Sequence, residues 1–183
     1  MQMQGQRRID ARRDAVWRAL NDPEVLKACI PGCDELAKTS DTTFEASVVQ
    51  KVGPMKARFK GSVALSDVVD AESYTITGEG KGGAAGFAKG GARVTLSDDG
   101  AGTLLVYDAE AKVGGKLAQL GSRLVDGFAK KLADEFFTRF QEAVGGPPGE
   151  PVVEDAAPAE AEAETGGDAP EEKKKGWFKR LFG

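Results

Sequence analysis

Apolar side chains recur in steps of three and four along a proline-free stretch of 28 residues, from Leu117 to Val144. The stripe consists of Leu117, Leu120, Leu124, Phe128, Leu132, Phe136 and Phe140. This spacing places the apolar groups on one face of an α-helix. At 1.5 Å per residue the helix would be about 40 Å long, so the pattern predicts one helix that crosses a small domain. Gly121 falls on the buried side of the stripe, where its missing side chain leaves either a cavity or close packing.

Between Asp34 and Val113 the apolar positions alternate with polar ones instead. The clearest run places Met55, Ala57, Phe59, Gly61, Val63 and Leu65 on one face, between Lys56, Arg58, Lys60 and Ser62. This alternation is typical of a β-strand with one dry face and one wet face. Further strands are predicted at residues 44–51, 74–77, 92–96 and 103–113, with a hairpin turn at residues 98–100. Together they predict an α+β domain in which an antiparallel sheet wraps around the long helix.

The residues before the sheet predict an edge strand and two short helices. Residues 2–11 form the strand, with Ile9 as its apolar contact. Asp14 is a suitable N-cap for a first helix, and Pro23 fits the first turn of a second one. Residues 29–33, which read Cys-Ile-Pro-Gly-Cys, then form a tight turn.

Charge divides the chain of 183 residues into three parts. Residues 1–145 carry 20 Lys+Arg and 20 Asp+Glu, and we interpret them as one folded domain. Residues 146–172 carry nine acidic groups and no basic ones, and their Pro, Ala, Glu and Gly predict a disordered linker. Residues 173–183 carry five basic groups and no acidic ones. A neutral folded domain argues against nucleic acid as the partner.

The sequence contains no histidine, which removes the commonest general base and the commonest metal ligand. Cys29 and Cys33 are too few for a structural zinc site, and their spacing differs from that of a redox C-x-x-C pair. No pair of carboxylates lies in an apolar setting. We therefore expect a protein that is not an enzyme and binds no metal. The polar N-terminus has no signal core, so we expect a cytoplasmic protein.

Gly78, Gly80 and Gly83 match the dinucleotide-binding pattern G-x-G-x-x-G. That motif requires a helix directly after it, because the helix N-terminus holds the pyrophosphate. Here more glycines follow, and then the strand-like Arg93-Val94-Thr95-Leu96. We interpret residues 78–91 as a glycine-rich hairpin, either a gate over a cavity or a bulged strand pair.

The basic C-terminal segment predicts a membrane-binding element. As a helix it would place its apolar residues on one face and Lys179 and Arg180 on the other. With 11 residues it is too short to span a bilayer, but it suits the surface of an anionic membrane. The residues we assign to this contact are Lys173, Lys174, Lys175, Trp177, Phe178, Lys179, Arg180, Leu181 and Phe182. Docking into a groove on a protein is the alternative.

Several stretches of residues 1–145 resemble the CoxG family, the G subunit of carbon monoxide dehydrogenase, within the START-like superfamily. They are Asn21-Asp22-Pro23 with Leu26, the turn at residues 29–33, Phe59-x-Gly61, the glycine hairpin, residues 114–121 (Gly-Gly-Lys-Leu-Ala-Gln-Leu-Gly) and Phe136-Phe137-x-x-Phe140. The resemblance implies a helix-grip fold. It also implies an accessory protein that brings a molybdenum-containing carbon monoxide dehydrogenase, or a related hydroxylase, to the inner face of the cell membrane.

A dehydrogenase that feeds a respiratory chain needs a quinone, and the cavity of a START-like fold suits an apolar ligand. We therefore predict a quinone-binding cavity lined by Phe59, Val63, Phe87, Tyr107, Leu120, Gly121, Leu124 and Phe128. Two alternatives remain open. The domain could be a cyclase or hydrolase acting on an apolar substrate, or a plain adaptor with a filled core.

Overall fold

The computed structural model describes residues 1–145, which form seven strands and four helices. In chain order these are β1 (Gln2–Ile9), α1 (Arg13–Leu20), α2 (Pro23–Cys29), β2 (Cys33–Lys38), β3 (Thr43–Val52), β4 (Met55–Val69), β5 (Ser73–Lys81), β6 (Phe87–Asp99), β7 (Gly102–Gly114), α3 (Lys116–Gln119) and α4 (Ser122–Gly145). A short 3-10 turn, Gly83–Ala85, joins β5 to β6. The linker predicted at 146–172 and the membrane segment predicted at 173–183 lie outside the described residues.

All seven strands form one antiparallel sheet in the order β1-β7-β6-β5-β4-β3-β2. The alternation in β4 sets its two faces, because Phe59, Val63 and Leu65 are half-buried whereas Lys56, Arg58 and Lys60 are exposed. We call the face that carries Phe59 and Val63 the inner face. The cross-strand register extends this face, since Val63 pairs with Gly78, and Gly78 with Gly90. The predicted α+β architecture is confirmed.

Because the strands are antiparallel and sequential, their connections gather at two ends of the sheet. We call one of them the open end; it contains residues 52–55, 81–87 and 114–122. We call the other the packed end; it contains residues 69–73, 99–102 and the loop after β1. Helix α4 starts at the open end and finishes at the packed end, where the Asp10 backbone N–H donates to Gln141 Oε1 at 3.0 Å.

The hydrophobic core lies mainly toward the packed end. It consists of Ile9, Val16, Ala19, Leu20, Cys29, Tyr74, Val94, Leu96, Leu105 and Phe140, all buried. Trp17 covers Tyr74 with ring centroids 5.4 Å apart, and Phe136 stacks on Phe140 at 5.7 Å. The Thr103 hydroxyl donates to the Ala11 carbonyl at 2.7 Å, which satisfies the hydroxyl group where β7 begins. Helices α1 and α2 therefore complete the core around the C-terminal half of α4.

The prediction of one unbroken helix from Leu117 to Val144 is wrong. The helix is interrupted between α3 and α4, and Gly121 adopts φ +88° at the interruption. A left-handed φ of this kind is available to glycine without steric cost. Leu117 before the break and Val125 after it are both buried, whereas Leu124 of the predicted stripe is 39% exposed. Gly121 itself is exposed rather than buried.

The two N-terminal helices form where the sequence predicts them. In α2, Pro23 occupies the first turn and the Asp22 carboxylate accepts a hydrogen bond from the Glu24 backbone N–H at 2.9 Å. The predicted cap of α1 is wrong, because Arg12 is its N-cap residue and makes no side-chain cap. Asp14 lies inside the first turn, where its carboxylate pairs with Arg18 at 3.2 Å.

Candidate functional site

The inner face of the central strands carries very small side chains toward the open end. The cross-strand register aligns Gly61, Gly78, Gly80, Ala88, Gly90, Ala92, Ala109 and Ala111 on that face. We call this set the small-residue wall. Helix α4 lies closest to β1 and β3, near the two sides of the sheet, and stands further from the backbones of β4–β7. Small side chains on this face occupy little of the space between the sheet and the helix.

Burial changes along each central strand from one end to the other. In β6, Val94 and Leu96 are buried, whereas Ala88, Gly90 and Ala92 on the same face are only half-buried. In β7, Leu105 is 2% exposed, and the inner positions from Tyr107 to Val113 are half-buried. On helix α4, Phe140 is 0% exposed and Leu124 is 39% exposed, although Val125 next to Leu124 is buried. The inner face is therefore covered at the packed end and incompletely covered at the open end.

The glycines of the wall have two different structural effects. A Cβ atom on Gly61 would strike the backbone carbonyl of Glu79, and one on Gly90 would strike that of Glu110. These two positions let neighbouring strands approach closely, which bends the sheet around the helix. A Cβ on Gly80, by contrast, would meet its nearest atoms only at 3.9 Å. Gly80 therefore contributes open space rather than curvature.

Five of the eight predicted cavity residues lie around this incompletely covered region. Phe59 and Val63 are half-buried on the inner face of β4, with the Phe59 ring beside Gly82. Leu120 follows α3 and is half-buried. Leu124 lies in the first turn of α4 over Gly53, and Phe128 is half-buried one turn later.

The other three predicted residues lie elsewhere. Tyr107 packs into the covered region, where its ring lies over Gly5 and stacks on Phe137 with centroids 5.4 Å apart. Phe87 pairs with Lys81 and Gly114 on the outer side of the sheet, and its side chain is 42% exposed. Gly121 is an exposed turn residue at the open end.

The small-residue wall was not predicted, although the sequence carries a signal for it. Gly or Ala recurs at every second position in Gly78-x-Gly80, in Ala88-x-Gly90-x-Ala92 and in Ala109-x-Ala111. Such a repeat in consecutive strands places small groups on one face of a sheet. The prediction used only the large apolar residues and therefore missed the glycines and alanines that lie between them on the same face.

The outer face of the sheet carries two open depressions with volumes of about 1300 and 450 Å³. The larger one is lined mainly by polar and charged residues, including Thr75, Glu79, Lys89, Arg93 and Asp108. Val63 is the one predicted cavity residue that also borders it. The larger depression differs from the inner face because charged side chains border it.

The inner face of β3–β7 is uncharged over residues 44–52, 55–65, 74–80, 88–96 and 103–113. Its inward positions there carry apolar residues, glycine, Thr103, Gln50 and two tyrosines. Asp98, opposite Thr103 at the packed end, lies beyond this stretch and pairs with Arg13. The Gln50 side-chain amide donates to the Pro31 carbonyl at 2.6 Å. Burial raises the pKa of Tyr74 well above its ordinary value, so its phenol stays protonated at neutral pH. An uncharged surface of this kind suits an apolar ligand.

The two cysteines have little nucleophilic character. Cys29 is buried, Cys33 is half-buried, and both are free thiols. Burial raises the pKa of both thiols, and the nearby Asp34 carboxylate raises that of Cys33 further. Because the thiolate is the reactive form, both side chains are largely unreactive at neutral pH. Among residues 1–145, no cluster of three or more acidic or cysteine side chains could hold a metal ion.

Comparison with known proteins identifies the family. The family profile for the G subunit of carbon monoxide dehydrogenase (CoxG) matches residues 5–145. The chain belongs to the CoxG family. CoxG proteins are accessory subunits, and this membership together with the fold fits an accessory role beside carbon monoxide dehydrogenase. No curated protein matches the chain.

Solved structures with the same fold support the START-like architecture. A conserved protein from Geobacillus kaustophilus is 28% identical, with a TM-score of 0.74 over 79% of this chain and 95% of its own. A START superfamily protein from Mycobacterium smegmatis is 15% identical, with a TM-score of 0.59 over 78% of this chain and 96% of its own. A protein from Thermus thermophilus is 18% identical, with a TM-score of 0.61 over 79% of this chain and 97% of its own. The likeness to the last two concerns the fold alone.

No helix within residues 1–145 combines the length and the apolar character needed to cross a bilayer.

Proposed function

We propose that this CoxG-family protein recruits a molybdenum-containing carbon monoxide dehydrogenase, or a related hydroxylase, to the inner face of the cell membrane and carries a quinone for it. The observation that supports the carrier role is the change in burial along the central strands. Large buried side chains fill the packed end, and the small-residue wall leaves the open end incompletely covered. The proposed binding space would lie between this apolar surface and the first turns of α4.

The chemistry of a quinone matches this surface. Its isoprenoid chain is apolar, and burying apolar area is favourable by roughly 25 cal/mol per Å². Phe59, Val63, Leu124 and Phe128 offer flat or branched apolar groups around the wall. Tyr107 lies on the inner face but packs against Phe137, and Phe87 lies on the outer side, so neither is part of this proposed contact.

The membrane role depends on residues 173–183, whose five cations and four large apolar groups suit the interface of an anionic membrane. The acidic residues 146–172 would be repelled by the same surface, so the contact we assign to the tail is confined to residues 173–183. Deleting residues 173–183 should move the protein from the membrane fraction to the soluble fraction. Unchanged partitioning would assign the segment to a different partner.

Extraction of the purified full chain with organic solvent, followed by mass spectrometry, tests the carrier role. We expect a quinone in the extract. Gly80→Leu should reduce its yield, because a Cβ at Gly80 meets its nearest atoms only at 3.9 Å and the added side chain enters the open space. Ala64→Leu is the matched control, since Ala64 is exposed on the outer face of β4. An extract without quinone, or equal loss in both variants, would favour the plain adaptor.

The enzyme alternative requires titratable groups that converge on the bound substrate. Toward the open end the inward positions of β3–β7 provide no carboxylate, amine or guanidinium group, and the inward Asp98 lies at the packed end, where it pairs with Arg13. We therefore favour a carrier over a cyclase or hydrolase.

Co-purification with the dehydrogenase from the native host tests the recruitment itself, and a preparation free of the dehydrogenase would contradict it.

A further inference from the structure

Charge is distributed unequally between the two ends of the folded domain, although the domain as a whole is neutral. At the open end, residues 51–56, 81–89 and 112–124 carry seven Lys+Arg and no Asp or Glu. All seven of these side chains are exposed. At the packed end, residues 67–73 and 97–102 carry five Asp+Glu and no Lys or Arg, and the loop after β1 adds Asp10 and Arg12. The composition of the domain hides this separation, because it counts both ends together.

The ion pairs within residues 1–145 increase the contrast. Arg8 pairs with Asp99 at 3.0 Å and Arg13 pairs with Asp98 at 3.4 Å, so arginines near the packed end are partly neutralised. None of the seven cations at the open end takes part in an ion pair with another described residue. Glu79 is the cross-strand partner of Lys89, but no ion pair joins the two side chains, and Glu110 and Asp126 come two residues before Lys112 and three after Arg123.

Two large apolar side chains are exposed within the same three connections. Phe87 is 42% exposed over Gly114, and Leu124 is 39% exposed over Gly53. Each side chain lies against a glycine on one side and is exposed to solvent on the other. Val68 and Val69 at the packed end are about equally exposed, but they lie among Asp67, Asp70 and Glu72. Apolar exposure therefore occurs at both ends, and it coincides with positive charge at one of them.

Exposed apolar groups surrounded by lysine and arginine are typical of protein surfaces that rest on an anionic membrane. The cations are attracted to the lipid headgroups, and the apolar groups enter the boundary between headgroups and acyl chains. We propose that the open end of the folded domain is itself a membrane-docking face for anionic phospholipids, separate from residues 173–183. This inference rests on the proposed carrier role in one respect, because docking here would place the opening of the inner space against the lipid that contains the ligand.

The test uses the full chain in which the five C-terminal cations, Lys173, Lys174, Lys175, Lys179 and Arg180, are replaced by serine. This tail-neutral protein is mixed with vesicles of equal parts phosphatidylglycerol and phosphatidylcholine, and the bound fraction is measured by co-sedimentation. We expect binding that decreases as salt is raised and that is absent with phosphatidylcholine alone. Failure of the tail-neutral protein to bind the anionic vesicles would overturn the proposal.

Charge reversal locates the docking face. Lys81→Glu combined with Lys116→Glu should weaken vesicle binding at least about tenfold, because each cation near such a surface contributes roughly a fivefold factor. The control is Lys130→Glu combined with Lys131→Glu, which changes the net charge equally at exposed positions in the middle of α4. Equal weakening by both pairs would show that net charge alone matters and would contradict a defined face.

Removal of the apolar groups tests insertion into the lipid. Phe87→Ser should weaken binding roughly fivefold, and Val68→Ser, which removes an equally exposed group at the acidic end, should have no effect. Both changes are at exposed positions, and an unchanged thermal midpoint would verify folding.

If the open-end variants lose co-purification with the dehydrogenase but still bind vesicles, the face belongs to a protein partner and the proposal is wrong. Vesicle binding without any extracted quinone would contradict the carrier role alone.

Discussion

The two ends of the domain use the same seven strands and the same helix for different purposes. At the packed end, α1 and α2 cover the sheet, and Phe140, Leu105 and Val16 are at most 2% exposed. At the open end, Val52, Leu117 and Val125 are buried, but the inner positions of the small-residue wall are only half-buried and Leu124 is exposed. The difference shows how one sheet can be tightly covered at one end and less completely covered at the other. Most of the buried hydrophobic core lies at the packed end, so the fold does not require equally tight packing at the open end.

The largest expected difference between the two ends concerns the aromatic residues of α4. Phe140→Ala should lower the free energy of unfolding by about 3–5 kcal/mol, because a fully buried ring leaves a cavity in a packed core. Phe128→Ala at the half-buried position nearer the open end should cost about 1 kcal/mol. Urea unfolding followed by circular dichroism measures both. Equal costs would mean that the open end is packed as tightly as the other.

The curvature of the sheet provides the next test. Gly61→Ala should destabilise the fold by about 2 kcal/mol, because the new Cβ would collide with the backbone carbonyl of Glu79. The control is Gly80→Ala on the neighbouring strand, where the nearest atoms are 3.9 Å away. Thermal unfolding should separate the two variants. If both are tolerated, the bend does not depend on the glycine at position 61.

The phenol of Tyr74 should make the packed end sensitive to high pH. Burial raises the pKa of Tyr74 in the folded protein above the ordinary value of 10.0. The unfolded chain therefore releases the proton first, and stability that is fully present below that value is lost above it. The expected slope is about 1.4 kcal/mol per pH unit. Tyr74→Phe should remove this part of the pH dependence, as measured by urea unfolding across the alkaline range, and an unaltered slope would contradict the assignment.

The smallest predicted effects concern two exposed glycines near the open end, and they have opposite signs. Gly121→Ala should destabilise the fold by about 1 kcal/mol, because its φ of +88° is unfavourable for a residue with a side chain. Gly127→Ala should stabilise it by about 1 kcal/mol, because alanine is the better residue inside a helix. Neither new Cβ would meet another atom within 4 Å, so backbone conformation alone decides the sign. Two changes of the same sign in thermal unfolding would contradict this account.

The sheet was predictable because its alternation extends over many residues. In β4, six inward positions and their charged neighbours define both faces without further information. The same argument fails at Phe87, because the glycines and alanines around it have too little apolar contrast to fix the phase. An offset of one residue then assigns a side chain to the wrong face of a strand. Phe87 was expected in the cavity and lies on the outer side for this reason.

The break before α4 could not be read from apolar spacing. Leu117, Leu120 and Leu124 keep a helical period in the sequence although the chain breaks between α3 and α4, so the spacing alone shows no interruption. The only local sign was Gly121, which the spacing placed on the buried side. Tyr107 was likewise predicted to line a cavity, but its ring stacks on Phe137, and which aromatic rings meet depends on how far the helix has rotated at that level.

The separation of cations and carboxylates between the two ends gives the neutral domain an electric dipole. A neutral body with a dipole experiences a torque near a charged surface, although it feels little net attraction. Within a Debye length of about 10 Å at moderate salt, the torque would turn the lysine-rich pole toward a negative surface before any contact forms. The domain would thus reach the bilayer already aligned.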